Sequence, residues 1–210
     1  MQRLTVDPAR CRAEDLREAA AWLRAGRIVA FPTDTFYGLA VDPTSAAAVR
    51  DLFRLKGRPA DVAVPLIASS VAQVEALGGH WSPAMKTLAR TFWPGPVSLI
   101  HEAPSEMVHD VHGGAGTIAI RVPDHRVARA LADAFGAPIT ATSANRTGEP
   151  PAQSADALTF LAADPLLIVV DGGVTPGGAA STIVDARGEP PVLVRAGAVA
   201  WNRVLESLQG

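Results

Sequence analysis

Cysteine is nearly absent: Cys11 is the only one in 210 residues. A single thiol excludes an internal disulfide and any zinc site built on cysteines. An excess of one charge is missing as well. Nineteen Lys and Arg against 21 Asp and Glu leave a formal net charge of −2, whereas a protein that coats nucleic acid is strongly basic. A locally basic pocket is still allowed. Long apolar runs are lacking too. Stretches such as 166–170 are a few residues long, and a membrane-spanning helix needs roughly 18 or more. The first ten residues, MQRLTVDPAR, hold no apolar segment and an early Asp-Pro turn. They do not read as a secretory signal, and a cytoplasmic setting is the expectation. Disorder is excluded by 48% hydrophobic and 19% charged residues. What is plentiful is glycine (18) and proline (17). The length favours one domain, 1–210, with ample room for a core.

Apolar periodicity alternates between the two regular structures. Helices are predicted over 14–25, 44–55, 82–92, 126–135, 154–162 and 199–208. Ser82-Pro83 opens one as N-cap and first-turn proline, and Gly136 stops another. Strands are predicted at 3–6, 27–31, 64–68, 97–101, 117–122, 138–141, 166–170, 181–185 and 192–195. The alternation argues for an α/β domain with a mixed, largely covered sheet. The short Arg-Gly-Glu-Pro link between the last two strands makes that pair antiparallel. The longest irregular stretch, 102–116, reads as a flap or an insertion.

Several familiar motifs fail. GAGTIA at 114–119 runs into a strand, whereas a dinucleotide fingerprint must open a helix. There is no Walker loop and no GxSxG elbow. His101, His109, His112 and His125 have no supporting ligand spacing and read as scattered surface or loop histidines, so no metal site is expected. Four irregular segments survive: PTDTFYGL at 32–39, KGRP at 56–59, TATSAN at 140–145 and GGVTPGGAAST at 172–182. Each joins apolar strands and offers small hydroxyls, glycines or cations. Such segments let a backbone approach a ligand closely and present N–H and O–H donors to phosphate oxygens.

Four cations accompany them. Lys56 and Arg58 end a predicted helix, either as charges meeting its macrodipole or as a phosphate clamp. Arg121 shares one strand face with Thr117 and Ala119, opposite Ile118, Ile120 and Val122. It faces either a cleft or a surface salt bridge. Arg195 closes the strand PVLVR. Together the four are able to line one anion-binding cavity for a polyanionic small ligand such as ATP. Asp34 and Asp185 read either as outer-shell groups or, more readily, as turn or strand-end caps.

FPTDTFYGLA, LKGRP, WPGPVSLI, TIAIRVPDH, ITATSAN, ASTIVD and VLVRAG occur in this order between about residues 10 and 199. In sequence and spacing they resemble the YrdC-like family of threonylcarbamoyl-AMP synthases, in its short single-domain form. The resemblance implies an α/β fold, a twisted mixed sheet flanked by helices with a large concave ligand cavity. It implies that L-threonine, bicarbonate (or carbon dioxide) and ATP yield threonylcarbamoyl-AMP and pyrophosphate. It assigns threonine to Thr33, Arg121, Ala141 through its backbone, and Ser181. It assigns ATP to Lys56, Arg58, Thr117, Ser143, Asn145 and Arg195, with Asn145 also bracing its loop. Lys56, Arg58 and Arg195 are the cations that would serve catalysis. Magnesium would be held mainly by ATP phosphates and water, without a protein metal site. The implied partners are separate tRNA threonylcarbamoyl-transfer proteins, with a weak RNA contact left open and no membrane. One departure stands out. Val64 precedes Pro65-Leu66 where many relatives carry a polar residue, so a polar contact to threonine is lost there. The alternatives are an RNA-binding paralogue and a carbamoyl- or adenylyl-transfer enzyme acting on a different substrate.

Overall fold

The computed structural model describes residues 2–57, 62–161 and 164–209. Arg58 and the rest of the KGRP segment after Gly57 lie outside the described residues, as does the end of the helix expected at 154–162.

Among the described residues the strands form two mixed sheets rather than the one expected. The first contains β1 (Gln2–Thr5), β2 (Ile28–Pro32), β3 (Tyr37–Ala40), β8 (Thr142–Ser143) and β9 (Leu167–Asp171), in the order β1-β9-β2-β3-β8. The second contains β4 (Leu66–Ile67), β5 (Val97–Glu102), β6 (Thr117–Arg121), β7 (Ile139–Thr140), β10 (Thr182–Asp185) and β11 (Val192–Arg195), in the order β11-β10-β5-β6-β4-β7. The antiparallel pairing of β10 with β11 is present, with a bulge between Ile183 and Val184.

The helices are α1 (Arg17–Arg24), α2 (Ala46–Lys56), α3 (Val71–Glu75), α4 (Pro83–Phe92), α5 (His109–His112), α6 (Arg126–Phe135) and α7 (Trp201–Glu206). Local chemistry sets their ends. The Ser45 and Ser82 hydroxyls accept from the N–H groups of Ala48 (3.3 Å) and Met85 (3.0 Å). Gly57 (φ 60°) and Gly136 (φ 88°) terminate α2 and α6 in the left-handed region that other residues avoid. The helix expected at 14–25 begins as a 3-10 turn, Ala13–Leu16, before α1. The element expected at 154–162 is 3-10, Asp156–Leu161, kinked at Leu158. The expected strand 64–68 shrinks to Leu66–Ile67, because Pro65 has no N–H to give a ladder.

Strand periodicity divides the core into two layers. Ile28 and Ala30 of β2 and Leu167 and Val169 of β9 face one cluster, with α2, α4 and the second sheet. Val29 and Phe31, Ile168 and Val170 face the other, beneath α1 and α6. Both strands are covered on both faces, which is why they read as continuous apolar runs rather than alternating ones. In β6, Ile118 and Ile120 enter the first cluster. Thr117, Ala119 and Arg121 therefore point the opposite way, into a cleft.

Candidate functional site

The cleft has a volume of about 450 Å³ and takes walls from both sheets. It brings together Thr33, Thr117, Arg121, Ala141, Ser143, Ser181 and Arg195, residues spread over more than 160 positions of sequence. Thr33 is buried and closes its own turn. Its hydroxyl donates to the Phe36 carbonyl (2.7 Å) and accepts from the Thr35 N–H (3.2 Å). Ala141 lines the wall with its N–H already donated to the Pro65 carbonyl (2.8 Å). Val64 is buried in the same wall and presents an aliphatic surface there.

Arg195 ends β11 and folds back onto the residue that precedes β10. Its Nη2 donates to the Ser181 carbonyl (2.7 Å) and hydroxyl (3.2 Å). Ser181 Oγ also lies 3.0 Å from Ser98 Oγ on β5. The Arg195 guanidinium is pushed below its ordinary pKa, first by desolvation and then by the positive charge of Arg121. It remains fully cationic at neutral pH. Arg195, paired with no carboxylate among the described residues, thus keeps local positive charge at the cleft in a chain whose net charge is −2, which suits an anionic ligand.

Arg121 is buried in the wall and is not a surface pair. Its Nη1 contacts both oxygens of Asp34 at 2.7 Å. The reading of Asp34 as a turn cap is therefore corrected. Thr33 Oγ1 performs the capping, and the Asp34 carboxylate is released to meet a strand of the other sheet. Asp185 does behave as a strand-end cap, accepting from the Arg187 backbone (3.1 Å) and pairing with its guanidinium (2.7 Å).

Lys56 departs from its expected orientation toward a wet cleft. It is buried, and its ammonium donates to the Ser143 carbonyl, the Asn145 carbonyl (3.0 Å) and Asn145 Oδ1 (3.1 Å). The carbonyls of the TSAN turn converge on the C-terminal end of α2 and draw the charge inward. Asn145 ties the same turn, accepting from Ser143 Oγ (2.6 Å) and donating to the Glu149 carbonyl (2.6 Å). Lys56 and Asn145 thus stand behind the loop that carries Ser143 to the cleft, and neither lines it. Arg58 lies outside the described residues.

His101 corrects the surface reading of the histidines. It is buried on β5 against Trp81, with ring centroids 5.8 Å apart, and its Nδ1 meets the Glu102 carbonyl at 2.8 Å. Among the described residues no group of three or more His, Cys, Asp or Glu side chains is arranged to hold a metal. No helix there is long and apolar enough to cross a membrane. Sequence reading missed Ser98 as a cleft residue and Asp34 as the partner of Arg121. The signal for Ser98 is a lone hydroxyl inside the apolar run VSLI, buried and facing the cleft.

The fold and site define an α/β protein with a cleft between two mixed sheets, lined by two arginines and small hydroxyls, a lining suited to a small anionic ligand. A family model named for Sua5, YciO and YrdC, and described as "Telomere recombination", matches residues 21–197, and the chain belongs to that family. Among curated relatives, the threonylcarbamoyl-AMP synthase of Pyrococcus abyssi is 37% identical over 189 residues, 90% of this chain and 56% of the relative. The threonylcarbamoyl-AMP synthase of Thiobacillus denitrificans is 38% identical over 165 residues, 79% of this chain and 87% of the relative. The crystal structure of P. abyssi Sua5 complexed with L-threonine matches with a TM-score of 0.89 at 33% identity, covering 99% of this chain and 61% of that one. The chain spans little more than half the length of the Pyrococcus relative.

Proposed function

We propose that this chain is an L-threonylcarbamoyladenylate synthase, a nucleotidyl-transferring enzyme using L-threonine, bicarbonate or carbon dioxide, and ATP. The observation that carries the reading is the convergence of Arg121, Arg195, Ser181, Thr33 and Thr117 on one cleft, in a fold shared with a relative solved with L-threonine.

The threonine carboxylate pairs with Arg121, whose fork matches it geometrically. Thr33, Ser181 and the Ala141 carbonyl supply polar contacts around it. ATP lies toward Arg195, Thr117 and Ser143. Lys56 and Asn145 hold the turn that presents Ser143. The unprotonated threonine amine attacks carbon dioxide, forming an N–C bond and losing one N–H proton to solvent. An oxygen of the resulting N-carboxylate attacks the α-phosphorus, and the bond to the pyrophosphate oxygen breaks. Charge gathers on phosphate oxygens throughout, so preorganised cations and donors are the main catalytic requirement. No enzyme nucleophile enters, in keeping with Cys11, buried with its thiol pushed up to about 11 by desolvation.

Among the described residues no group of carboxylates is arranged to hold magnesium, and Asp34, beside the cleft, is engaged by Arg121. The ion would arrive on the ATP phosphates with its own water. The product would pass to tRNA-modifying transfer proteins, and this substrate set suits a cytoplasmic protein.

The test is pyrophosphate release by the purified chain with ATP, bicarbonate and Mg²⁺. Release is expected only with L-threonine present. Equal release with serine, or with no amino acid, would sink the assignment.

A further inference from the structure

The contact between Asp34 and Arg121 has an unusual form. A carboxylate usually meets arginine fork to fork, with two nitrogens engaging two oxygens. Here both Asp34 oxygens sit 2.7 Å from a single nitrogen, Nη1, which also approaches the Gly95 carbonyl at 3.4 Å. Among the described residues nothing else hydrogen-bonds Asp34, and neither Nη2 nor Nε of Arg121 has a protein partner. The guanidinium is held at one tip and keeps one complete fork edge unspent, on a side chain that lines the cleft.

Both groups are largely buried, with side-chain exposures of 9% for Arg121 and 12% for Asp34. A buried carboxylate without a turn to cap is costly unless it serves its cation. His125 does not compete for it. Burial above all holds the His125 pKa below its ordinary value, while Asp34 pulls the other way, so the imidazole is neutral at neutral pH. Its Nδ1 is buried with no hydrogen-bond partner.

We propose that Asp34 is a positioning residue for the amino-acid substrate: it grips Arg121 at Nη1 and so aims the free Nη2–Nε edge at the substrate carboxylate. This deepens the synthase reading and rests on it. It also opposes the simplest alternative, in which Asp34 competes with the substrate for Arg121. A competitor would best occupy the two-nitrogen edge, and Asp34 leaves that edge open.

The test is calorimetric titration of the whole chain with L-threonine and, separately, with a non-hydrolysable ATP analogue. Wild type, Asp34→Asn and Asp34→Glu are compared, with thermal melting of each. Asp34→Asn keeps the shape and removes the charge. It is expected to weaken threonine binding about 10- to 100-fold, the scale at which a ~1 Å misplacement of a recognition group is felt, while the nucleotide constant stays near wild type. Asp34→Glu restores the charge at a displaced position and is expected to show an intermediate loss. Parallel loss of both affinities would mean a merely structural role and overturn the proposal. Tighter threonine binding would make Asp34 a competitor and overturn it as well. If Asp34→Asn does not fold, Asp34→Glu decides: weakened threonine binding supports the proposal and an unchanged constant refutes it. A wild-type chain that binds the nucleotide but no L-threonine would remove the functional reading and this inference with it. Threonine binding that survives Asp34→Asn would remove the inference alone.

Discussion

Gly197, in the VLVRAG segment, sits where the chain has no room for a side chain. A Cβ there would stand 2.3 Å from the Ala180 carbonyl oxygen and 2.5 Å from both the Ser181 carbonyl carbon and the Thr182 nitrogen. Optimal contacts lie at ~3.5–4.0 Å, so the methyl of Gly197→Ala overlaps its neighbours by about 1 Å. All three neighbours are backbone atoms, which have no rotamer to escape into. Either 197 or the 180–182 segment must move. The movement strains the bond from the Ala198 N–H to the Ala180 carbonyl (2.8 Å) and the exchange between Thr182 and Val199 (2.7 and 3.0 Å). Overpacking of this kind costs about 1–3 kcal/mol, and a weakened hydrogen bond adds roughly 1. A total near 3 kcal/mol corresponds to a melting point lower by about 6–12 °C for a chain of this size. The same shift uncouples Arg195 from Ser181, so catalytic turnover is expected to drop by about 100-fold. Urea unfolding and the pyrophosphate assay measure the two effects. Gly188→Ala is the control, since a Cβ there meets nothing within 4 Å. Wild-type stability and turnover in Gly197→Ala would refute the reasoning.

Three further outcomes are expected. Arg121→Ala should raise the threonine requirement far more than the ATP requirement, and Arg195→Ala should do the reverse; a swapped pattern in steady-state kinetics would exchange the two subsites. Lys56→Met should lower stability by about 1–3 kcal/mol, because buried carbonyls lose a charged donor, and nucleotide affinity should fall with it. Lost nucleotide binding at unchanged melting temperature would instead make Lys56 a direct ligand group. Asp171 is held below the usual carboxylate range: burial raises its pKa, but hydrogen bonds from the Gly173 N–H and Arg3 outweigh that. Its contribution to stability is present above the ordinary aspartate value and is lost as pH falls through the lowered folded value. Asp171→Asn should therefore flatten the acid limb of a melting-temperature profile; an unchanged limb would contradict the assignment.

Much of this is legible in the sequence. The Ser82-Pro83 start and Gly136 stop mark α4 and α6, and the parity of TIAIR places Arg121 with Thr117. The cleft-facing residues Thr33, Ser143, Ser181 and Arg195 lie in segments whose hydroxyls and cations stood out at strand ends. Other features had no local signal. Thr142–Ser143 is too short to show a period, and Tyr37–Ala40 follows a turn whose composition masks it. Without those strands, one sheet was expected where two exist. The pairing of Asp34 with Arg121 joins positions 87 apart, and the burial of Lys56 depends on carbonyls 87 and 89 residues away. Spacing carries no information about such partners. A lysine at a helix end and an aspartate between threonines look the same in sequence whether they face water or a buried partner.

The most direct test of the central claim follows the carbon. The chain is incubated with ATP, L-threonine and ¹³C-bicarbonate, and the nucleotide products are analysed by mass spectrometry. The account predicts threonylcarbamoyl-AMP carrying one ¹³C, formed together with pyrophosphate. AMP or ADP as the nucleotide products, with no labelled adduct of threonine, would contradict it.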